Sequence, residues 1–548
     1  MPGVVPFPPD LAAAYRAKGY WDDRLLIEHY EDAFRAFSGR VAIIDDESTC
    51  TYAELSRRSL HLARVLLDLG LQPLDRVVVQ LPNTATFAFF FLALQRLGVI
   101  PIMALPSHRF REIEQFVRMS GAVALASPTQ AKDADFASIF TRIEQSQPSL
   151  QWHFSVGEGA RDGMLEIEAL MRRDPVASED DVLGVRSGLD PQDPAVFQLS
   201  GGTTGIPKLI PRTHNDYAFN SHLAVSVCDV REGDVLLNVL PISHNLPLAC
   251  PGMQGFLFAG ATVALATSTS AVSIFKRIER DRATHVHLVP ALLIKLINNP
   301  GVTSFDVSSM RVIQSGGQRL RPETRKGAAN TFRNATVQEN FGMAEGLLMF
   351  VRLDDPEEVR LETVGRPVCE DDEVLLVDSE GREVADGEVG EMWTRGPYTL
   401  HGYYNAPEHN AHAFSADGFY MSGDLMWKHP TGNYVVAGRT KDLINRGGEK
   451  ISAEEVENLI LTHPSVLNVA CVPVDHPVLG EQMCVCLVLR PGATLSLAEL
   501  IDHLLRYELA KHKLPEQLRI FERFPLSPVG KVSKKDLVGV LRSSPAAT

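Results

Sequence analysis

No stretch of this sequence is apolar enough to cross a bilayer. The longest uninterrupted apolar run is Phe87 to Leu94, closed by Gln95 and Arg96, whereas a spanning helix needs about 20 such residues. Positive charge is also scarce: Lys and Arg number 53 against 68 Asp and Glu, a net charge of −15. That excludes a protein built around a broad basic face for nucleic acid. Cysteine is sparse and unpatterned, seven in 548 residues with no CxxC pair, which fits reduced thiols rather than a disulfide framework or a thiolate metal site. Cys484 and Cys486 stand two apart in an apolar run, as on one face of a strand. The opening MPGVVPFPPD carries neither a basic segment nor an apolar core of an export signal, so a cytoplasmic protein is expected. Low-complexity tracts and fixed-period repeats are missing as well.

What is present is an ordinary globular composition, 45% hydrophobic and 22% charged. At 548 residues the chain exceeds the ~250–300 at which one core stops growing, so at least two domains are expected. Thr51 precedes Glu54 by three, a capping box that opens a helix over Tyr52 to Leu67. Arg76 to Leu81 reads as a buried strand, Thr84 to Leu97 as a helix and Val99 to Ala104 as a strand. Such βαβ units imply parallel sheets covered by helices. Further strands are expected at Ala122 to Ser127 and Thr284 to Val289, whereas residues 157–192 read as an acidic surface excursion. From Asp372 the texture changes to short strands and turns (DEVLLVD, GEVGEMWTRG, GNYVVAGR), which predicts a small antiparallel subdomain. After Gly438 comes a mixed segment with helices over Ala453 to Thr462 and Leu497 to Leu509 and strands over Val469 to Val474 and Met483 to Leu489. The expected fold class is α/β: a large N-terminal domain, 1–439, of βαβ-type sheets with the antiparallel subdomain, and a small mobile α+β domain, 440–548.

The densest chemistry lies in Leu199 to Lys208, LSGGTTGIPK. Gly201, Gly202 and Gly205 allow close backbone approach, Ser200, Thr203 and Thr204 supply hydroxyls, and Lys208 supplies a cation. Together they suit a polyphosphate. The segment is not a Walker A loop, because Pro207 precedes the lysine and no Ser or Thr follows it.

This loop, extended to LSGGTTGIPKLIPRTHNDY, resembles the phosphate loop of the acyl-adenylate-forming superfamily. FGMAEG (341–346), YMSGDL (420–425), GRTKDLINRGGEKI (438–451) and SPVGKV (527–532) agree with it in the same order. PRTHNDY, HNLPLACPG, FGMAEGL, RGPYTLHGYY and INRGGEKI are similar to the stand-alone aryl-acid ligases of siderophore assembly. The resemblance implies ATP and Mg²⁺, with Glu345 as the metal ligand, a hard oxygen suited to a cation that bridges phosphates. It implies Asp424 and Arg439 on the ribose, Gly316 and Gly317 of QSGG under the adenine, and Asn340, Phe341 and Gly342 beside it. Lys531 would bridge the substrate carboxylate and the α-phosphate. Lys450 would serve the second half-reaction, with Gly447 and Gly448 along a thiol tunnel after rotation about a hinge at Lys441.

For the aryl acid the resemblance points to His244, Asn245, Leu246, Cys250, Gln318 and Leu348, with Asn245 on the ring 2-hydroxyl. Relatives that use catechol acids carry serine for Cys250 and valine for Leu348. A thiol is a poor donor, so salicylate is expected over 2,3-dihydroxybenzoate. Polar Gln318 and Asn340 leave open an acid with a ring nitrogen or amino group, such as 3-hydroxypicolinate or an aminobenzoate. The expected partner is a phosphopantetheinylated aryl carrier protein; an aryl-CoA ligase and a non-catalytic nucleotide-binding regulator are the rival readings. No nucleic acid or membrane partner is expected.

Overall fold

The computed structural model describes the chain apart from residues 131–133, 162, 201–206, 318–319, 321, 447–448, 478, 508, 510, 528–530 and 544–548, and apart from the side chains of 322, 441, 449, 450 and 543. Its local structure starts from the expected signals. Thr51 Oγ1 accepts the Glu54 N–H at 3.2 Å, and the Glu54 carboxylate accepts the Thr51 N–H at 2.8 Å. Between them they close the first turn of the helix Tyr52–Asp68. The helix Ala85–Leu97 is buried nearly all round, and its apolar surface belongs to the same core as Leu62, Val65 and Leu66 of its neighbour.

Two sheets dominate the first of two compact units, Met1–Glu373 with Thr394–Tyr420. One has nine strands in the order Arg366–Pro367, Leu348–Phe350, Thr336–Gly342, Val312–Gly316, His285–Leu288, Val235–Asn238, Thr262–Leu265, Val41–Ile44, Thr49–Thr51. Its central strands are parallel and its edge pairs antiparallel. The other runs Met164–Glu166, Trp152–Val156, Ala124–Pro128, Arg76–Val79, Ile100–Met103, Pro194–Leu199, Leu209–Thr213, parallel except for its last hairpin.

The second unit comprises Val374–Trp393 and Met421–Thr548. Most of a four-stranded sheet, Glu373–Val377, Gly390–Arg395, Tyr420–Lys428, Tyr434–Arg439, falls in it. It also holds a five-stranded sheet in which Gln517–Ile520 pairs in parallel with Gly480–Leu489. The helix Ala453–Ile460 lines the core of this sheet. Cys484 and Cys486 do share a face, packed with Phe524 and Leu537; all seven cysteines are buried free thiols.

One expectation differs from what is observed. Residues 157–192 are not a mere excursion. Met164–Glu166 extends the seven-stranded sheet, and Glu179–Arg186 is a helix capped reciprocally by Ser178 and Asp181. Arg186 then forms a two-bond pair with Glu31, which also holds Arg96. A three-residue strand and a two-turn helix are too short for periodicity to declare them. The compact units divide at 420/421, and the antiparallel strands largely join the second unit.

Candidate active site

The glycine-rich loop hangs from a hairpin. Its flanking strands Pro194–Leu199 and Leu209–Thr213 pair with Leu199 opposite Leu209. Ser200 Oγ accepts the Lys208 N–H at 2.9 Å, and the Ser200 N–H donates back to the Lys208 carbonyl at 3.0 Å. Gly201, Gly202, Thr203, Thr204 and Gly205 lie outside the described residues. The Lys208 ammonium stands 5.9 Å from the centre of the Tyr403 ring. Burial, and then the Lys208 charge, lower the pKa of His409.

Glu345 sits in the turn between the antiparallel strands Thr336–Gly342 and Leu348–Phe350 and is only 9% exposed. Its Oε1 accepts the Tyr403 hydroxyl at 2.8 Å, and Tyr403 and Tyr420 bridge their hydroxyls at 3.0 Å. Burial, and then the Glu345 charge, raise the Tyr403 hydroxyl pKa, so this hydroxyl remains a donor. Its neighbour Gly346 has φ +152°, and a Cβ there would fall 2.4 Å from the Thr399 Cα. The Glu345 carbonyl accepts the Leu400 N–H at 2.8 Å.

Behind this turn lies a guanidinium that the sequence reading passed over. Arg212 is fully buried and ion-paired with Asp216 at 2.8 Å. It also donates to the Ala344 carbonyl at 3.1 Å and to the Tyr398 carbonyl at 3.3 Å. Asp216 simultaneously caps its own helix, accepting the Thr213 N–H at 2.7 Å. The signal was an arginine inside the apolar run LIPRT with an aspartate four residues on, since a buried arginine requires a partner.

In the QSGG segment, Gly316 ends the strand Val312–Gly316 opposite Asn340. A Cβ on Gly316 would fall 2.1 Å from Asn340 Oδ1, so only a bare backbone fits beside that amide. Gly317 has φ +84°. Phe341 and Gly342 follow on the adjacent strand, and Gly342 packs closely against Leu348. Gln318 lies outside the described residues.

Two of the expected aryl-acid residues, Asn245 and Cys250, belong to one hydrogen-bonded chain. Gln198 Nε2 donates to the Tyr217 hydroxyl at 3.1 Å, and that hydroxyl donates to Asn245 Oδ1 at 2.8 Å. Asn245 Nδ2 donates to Cys250 Sγ at 3.3 Å, and the Cys250 thiol donates to Asn220 Oδ1 at 3.1 Å. Asn245 is therefore held by protein partners on both sides of its amide. Burial pushes the Cys250 thiol up to about 12, so it is neutral at physiological pH. His244 Nδ1 accepts the Leu246 N–H at 3.4 Å at the start of the helix Asn245–Ala249. Leu246 is partly buried and Leu348 buried against the same core as Cys250.

The remaining candidates belong to the second unit. Asp424 and Arg439 face each other across antiparallel strands, with Arg439 Nε donating to Asp424 Oδ1 at 2.7 Å. Asp424 is buried, whereas the Arg439 side chain is 42% exposed. The pair is a buried carboxylate oriented by a partly exposed guanidinium. The Lys531 N–H donates to Ser527 Oγ at 3.1 Å, and Leu526 bridges Val532. Three residues on, Lys534 pairs with Glu457 at 2.7 Å, which ties the helix Lys534–Ser543 to the helix Ala453–Ile460. The Lys450 side chain, Gly447 and Gly448 lie outside the described residues. Among the described residues, no group of three or more His, Cys, Asp or Glu is placed to hold a metal ion, and no helix is long and apolar enough to cross a membrane.

Two family models match the chain. Residues 30–404 match the family model described as AMP-binding enzyme, and residues 455–531 match that of the AMP-binding enzyme C-terminal domain. The chain is 42% identical over 546 residues, covering 98% of both chains, to a Streptomyces protein named salicylyl-CoA synthase / salicylate adenylyltransferase. To the Mycobacterium tuberculosis salicyl-AMP ligase / salicyl-S-ArCP synthetase it is 40% identical over 541 residues, 98% of this chain and 94% of the other. Among solved structures, apo MbtA of Mycobacterium smegmatis is similar with a TM-score of 0.75 and 40% identity, covering 98% of both chains.

Proposed function

Because the chain belongs to the AMP-binding enzyme family as an adenylate-forming ligase of the aryl-acid branch, we propose that it activates an ortho-hydroxy aryl acid, with salicylate favoured over 2,3-dihydroxybenzoate. The aryl group then passes to the phosphopantetheine thiol of an aryl carrier protein, in siderophore or related nonribosomal peptide assembly. The observation that carries this reading is the turn in which Tyr403 holds the Glu345 carboxylate while Arg212 holds the preceding Ala344 carbonyl, with Lys208 beside the same tyrosine.

In the first step a carboxylate oxygen of the acid bonds to the α-phosphorus of ATP, and the bond from that phosphorus to the bridging oxygen breaks, releasing pyrophosphate. A benzoate is already ionised at neutral pH, so no enzymic base is required. The work left to the protein is positioning and charge compensation. We assign the polyphosphate to Ser200, Gly201, Gly202, Thr203, Thr204, Gly205 and Lys208, the adenine to Gly316, Gly317, Asn340, Phe341 and Gly342, and the ribose to Asp424 oriented by Arg439. Lys531 is assigned to the carboxylate and α-phosphate.

Glu345, a buried carboxylate steadied by a tyrosine hydroxyl, fits a Mg²⁺ held through one protein oxygen and the substrate phosphates. Bound there, the ion supplies charge neutralisation on the polyphosphate. In the second step the thiol sulfur attacks the acyl carbon, AMP leaves and the thiol proton is lost to solvent; Lys450 is assigned to this step. The functional division we assign is 1–439 and 440–548, with the hinge at Lys441.

Cys250 and Leu348 support salicylate. The neutral thiol is committed to Asn220 and Asn245, and a leucine occupies volume that a 3-hydroxyl would need. An apolar pocket rejects an added hydroxyl by only about 10²-fold, so the preference is of that size at most. ATP–pyrophosphate exchange with a panel of aryl acids tests the reading. Exchange with ortho-hydroxy acids is expected, and exchange with none of the panel would refute it. Turnover with a carrier protein is expected to exceed turnover with free CoA, and the reverse would make the chain an aryl-CoA ligase.

A further inference from the structure

Three residues after Lys531 stands a second lysine, which none of the assignments above uses. Lys534 opens the helix Lys534–Ser543, and three, four and seven positions further on are Leu537, Val538 and Leu541. Those three pack in one cluster with Ala470, Val472, Cys484, Cys486 and Phe524. Residues at this spacing share one face of a helix, so Lys534 lies on the face that the helix buries. Its neighbour Lys535 is exposed. The Lys534 side chain is 27% exposed and that of its partner Glu457 15%, with the ammonium 2.7 Å from Glu457 Oε1.

This placement is costly twice over. An ammonium loses solvation on burial, and the first turn of a helix is where the helix dipole disfavours a cation. Apolar residues would serve stability as well, since exchanging a buried ion pair for them is often neutral or stabilising. What the pair adds is a fixed geometry. The same Glu457 oxygen accepts the Cys471 N–H at 2.6 Å, from the strand Val466–His476. Burial disfavours the Lys534 charge, yet Glu457 and, after it, Asp442 hold its pKa above the ordinary value. Burial likewise raises Glu457, while Lys534 pulls it back. Asp442 ends the short helical segment Thr440–Asp442, one residue beyond the hinge assigned at Lys441. One ammonium thus answers two carboxylates, one on the helix Ala453–Ile460 and one beside the hinge.

The residues flanking Lys531 are fixed as well. The Ser533 N–H donates to the Pro525 carbonyl at 2.9 Å, and Val532 packs against the cluster of Ala470 and Val472. Three residues of chain span about 10 Å at most, so whatever holds Lys534 sets where Lys531 starts from. Resting on the assignment of Lys531 above, we propose that Lys534 is a positioning residue for adenylation. With Glu457 and Asp442 it fixes the backbone from which Lys531 reaches the carboxylate and the α-phosphate, and it ties that backbone to the hinge segment.

The test is a double-mutant cycle in the full chain, with salicylate as the acid. Aryl-AMP formation, and transfer from preformed aryl-AMP to the carrier thiol, are measured for wild type, Lys534→Met, Lys531→Ala and the two combined. Lys534→Arg is the conservative variant, Lys535→Met the exposed control, and thermal unfolding the check on folding. A 1 Å misplacement can cost about 10²-fold. Lys534→Met is therefore expected to lower kcat for adenylation about 10–10²-fold, with KM for ATP and acid within about 3-fold and transfer near the wild-type rate. Lys534→Arg is expected to recover most of the loss, and Lys535→Met to change neither half-reaction. In the Lys531→Ala background Lys534→Met should cost under about 3-fold more, because groups that act through one another do not add. Should Lys534→Met fail to fold, Glu457→Gln enters the same cycle with the same expectations. Losses that add in the cycle, losses equal in both half-reactions, or a folded Lys534→Met enzyme at the wild-type rate overturn the inference while the adenylation reading stands. A Lys531→Ala enzyme that adenylates at the wild-type rate, or a wild type that forms no aryl-AMP with any acid, would bring down the underlying assignment and the inference with it.

Discussion

A guanidinium taken wholly out of water is costly unless its charge and its donors are matched. Arg212 meets that condition by pairing with Asp216 and donating to the carbonyls of Ala344 and Tyr398. The second of those contacts braces the turn leading to Tyr403, and the first braces the residue before Glu345. Arg212→Met strands a buried carboxylate, and a loss of about 3–5 kcal/mol in unfolding free energy is expected, measured by urea titration. A loss under about 1 kcal/mol would show that Asp216 finds water instead. Glu345→Gln is expected to act differently, since an amide still accepts the Tyr403 hydroxyl. Stability should hold while adenylation falls about 10²–10³-fold, the loss typical of one preorganised electrostatic group, and the Mg²⁺ dependence should weaken. An unchanged Mg²⁺ titration would remove Glu345 from the metal role.

Turns and helices carry the next level of specification, and two glycines separate its cases. In the turn after Glu345, alanine at Gly346 would meet Thr399 backbone at 2.4 Å in a left-handed conformation. Gly346→Ala is expected to lower stability by about 1–3 kcal/mol and adenylation with it. Gly184 lies inside the helix Glu179–Arg186 with open space around it. Gly184→Ala is therefore expected to raise stability by about 0.4–1 kcal/mol, and thermal unfolding of the two variants gives opposite shifts if both arguments hold. These elements also mark how far the sequence could be read. The capping box at Thr51 and the apolar helix Ala85–Leu97 declare themselves, because their signals are local and periodic. The strand Met164–Glu166 does not, since its place is decided by pairing with Trp152–Val156. In the site, Lys208, Glu345, Cys250 and Asp424 could be named as candidates from their motifs alone. Arg212, Tyr403 and Asn220 could not, because what matters about them is a contact from another element.

For the molecule as a whole, the buried histidines set the response to acid. Burial holds His108, His153 and His285 down at about 4, and His214 and His287 at about 3. A depressed folded pKa means that the unfolded chain takes up the proton first, so stability is present above about pH 6.5 and lost as pH falls toward 4. Asp372 opposes this: burial raises it to about 7, so its contribution is present at low pH and fades as pH rises toward 7. His29 and His401 are held down to about 4 in the same way, and burial raises Asp216 and Glu457 as it does Asp372. The histidines outnumber these carboxylates, so a net loss on acidification follows and the unfolding midpoint is expected to drop between pH 7 and 4.5. A midpoint that is flat or rises on acidification would contradict the buried, neutral state of these rings.

The same scale carries the central claim, that this ligase runs adenylation and thiol transfer as separable half-reactions. Lys531, three residues before the Lys534–Glu457 pair, is assigned to the first transition state alone, and an interaction confined to one transition state registers only in the step that uses it. The direct measurement is Lys531→Ala assayed in both halves: aryl-AMP formation from ATP and acid, and transfer from preformed aryl-AMP to the carrier thiol. The account predicts a loss of about 10²–10³-fold in the first with the second largely intact; an equal loss in both would contradict it.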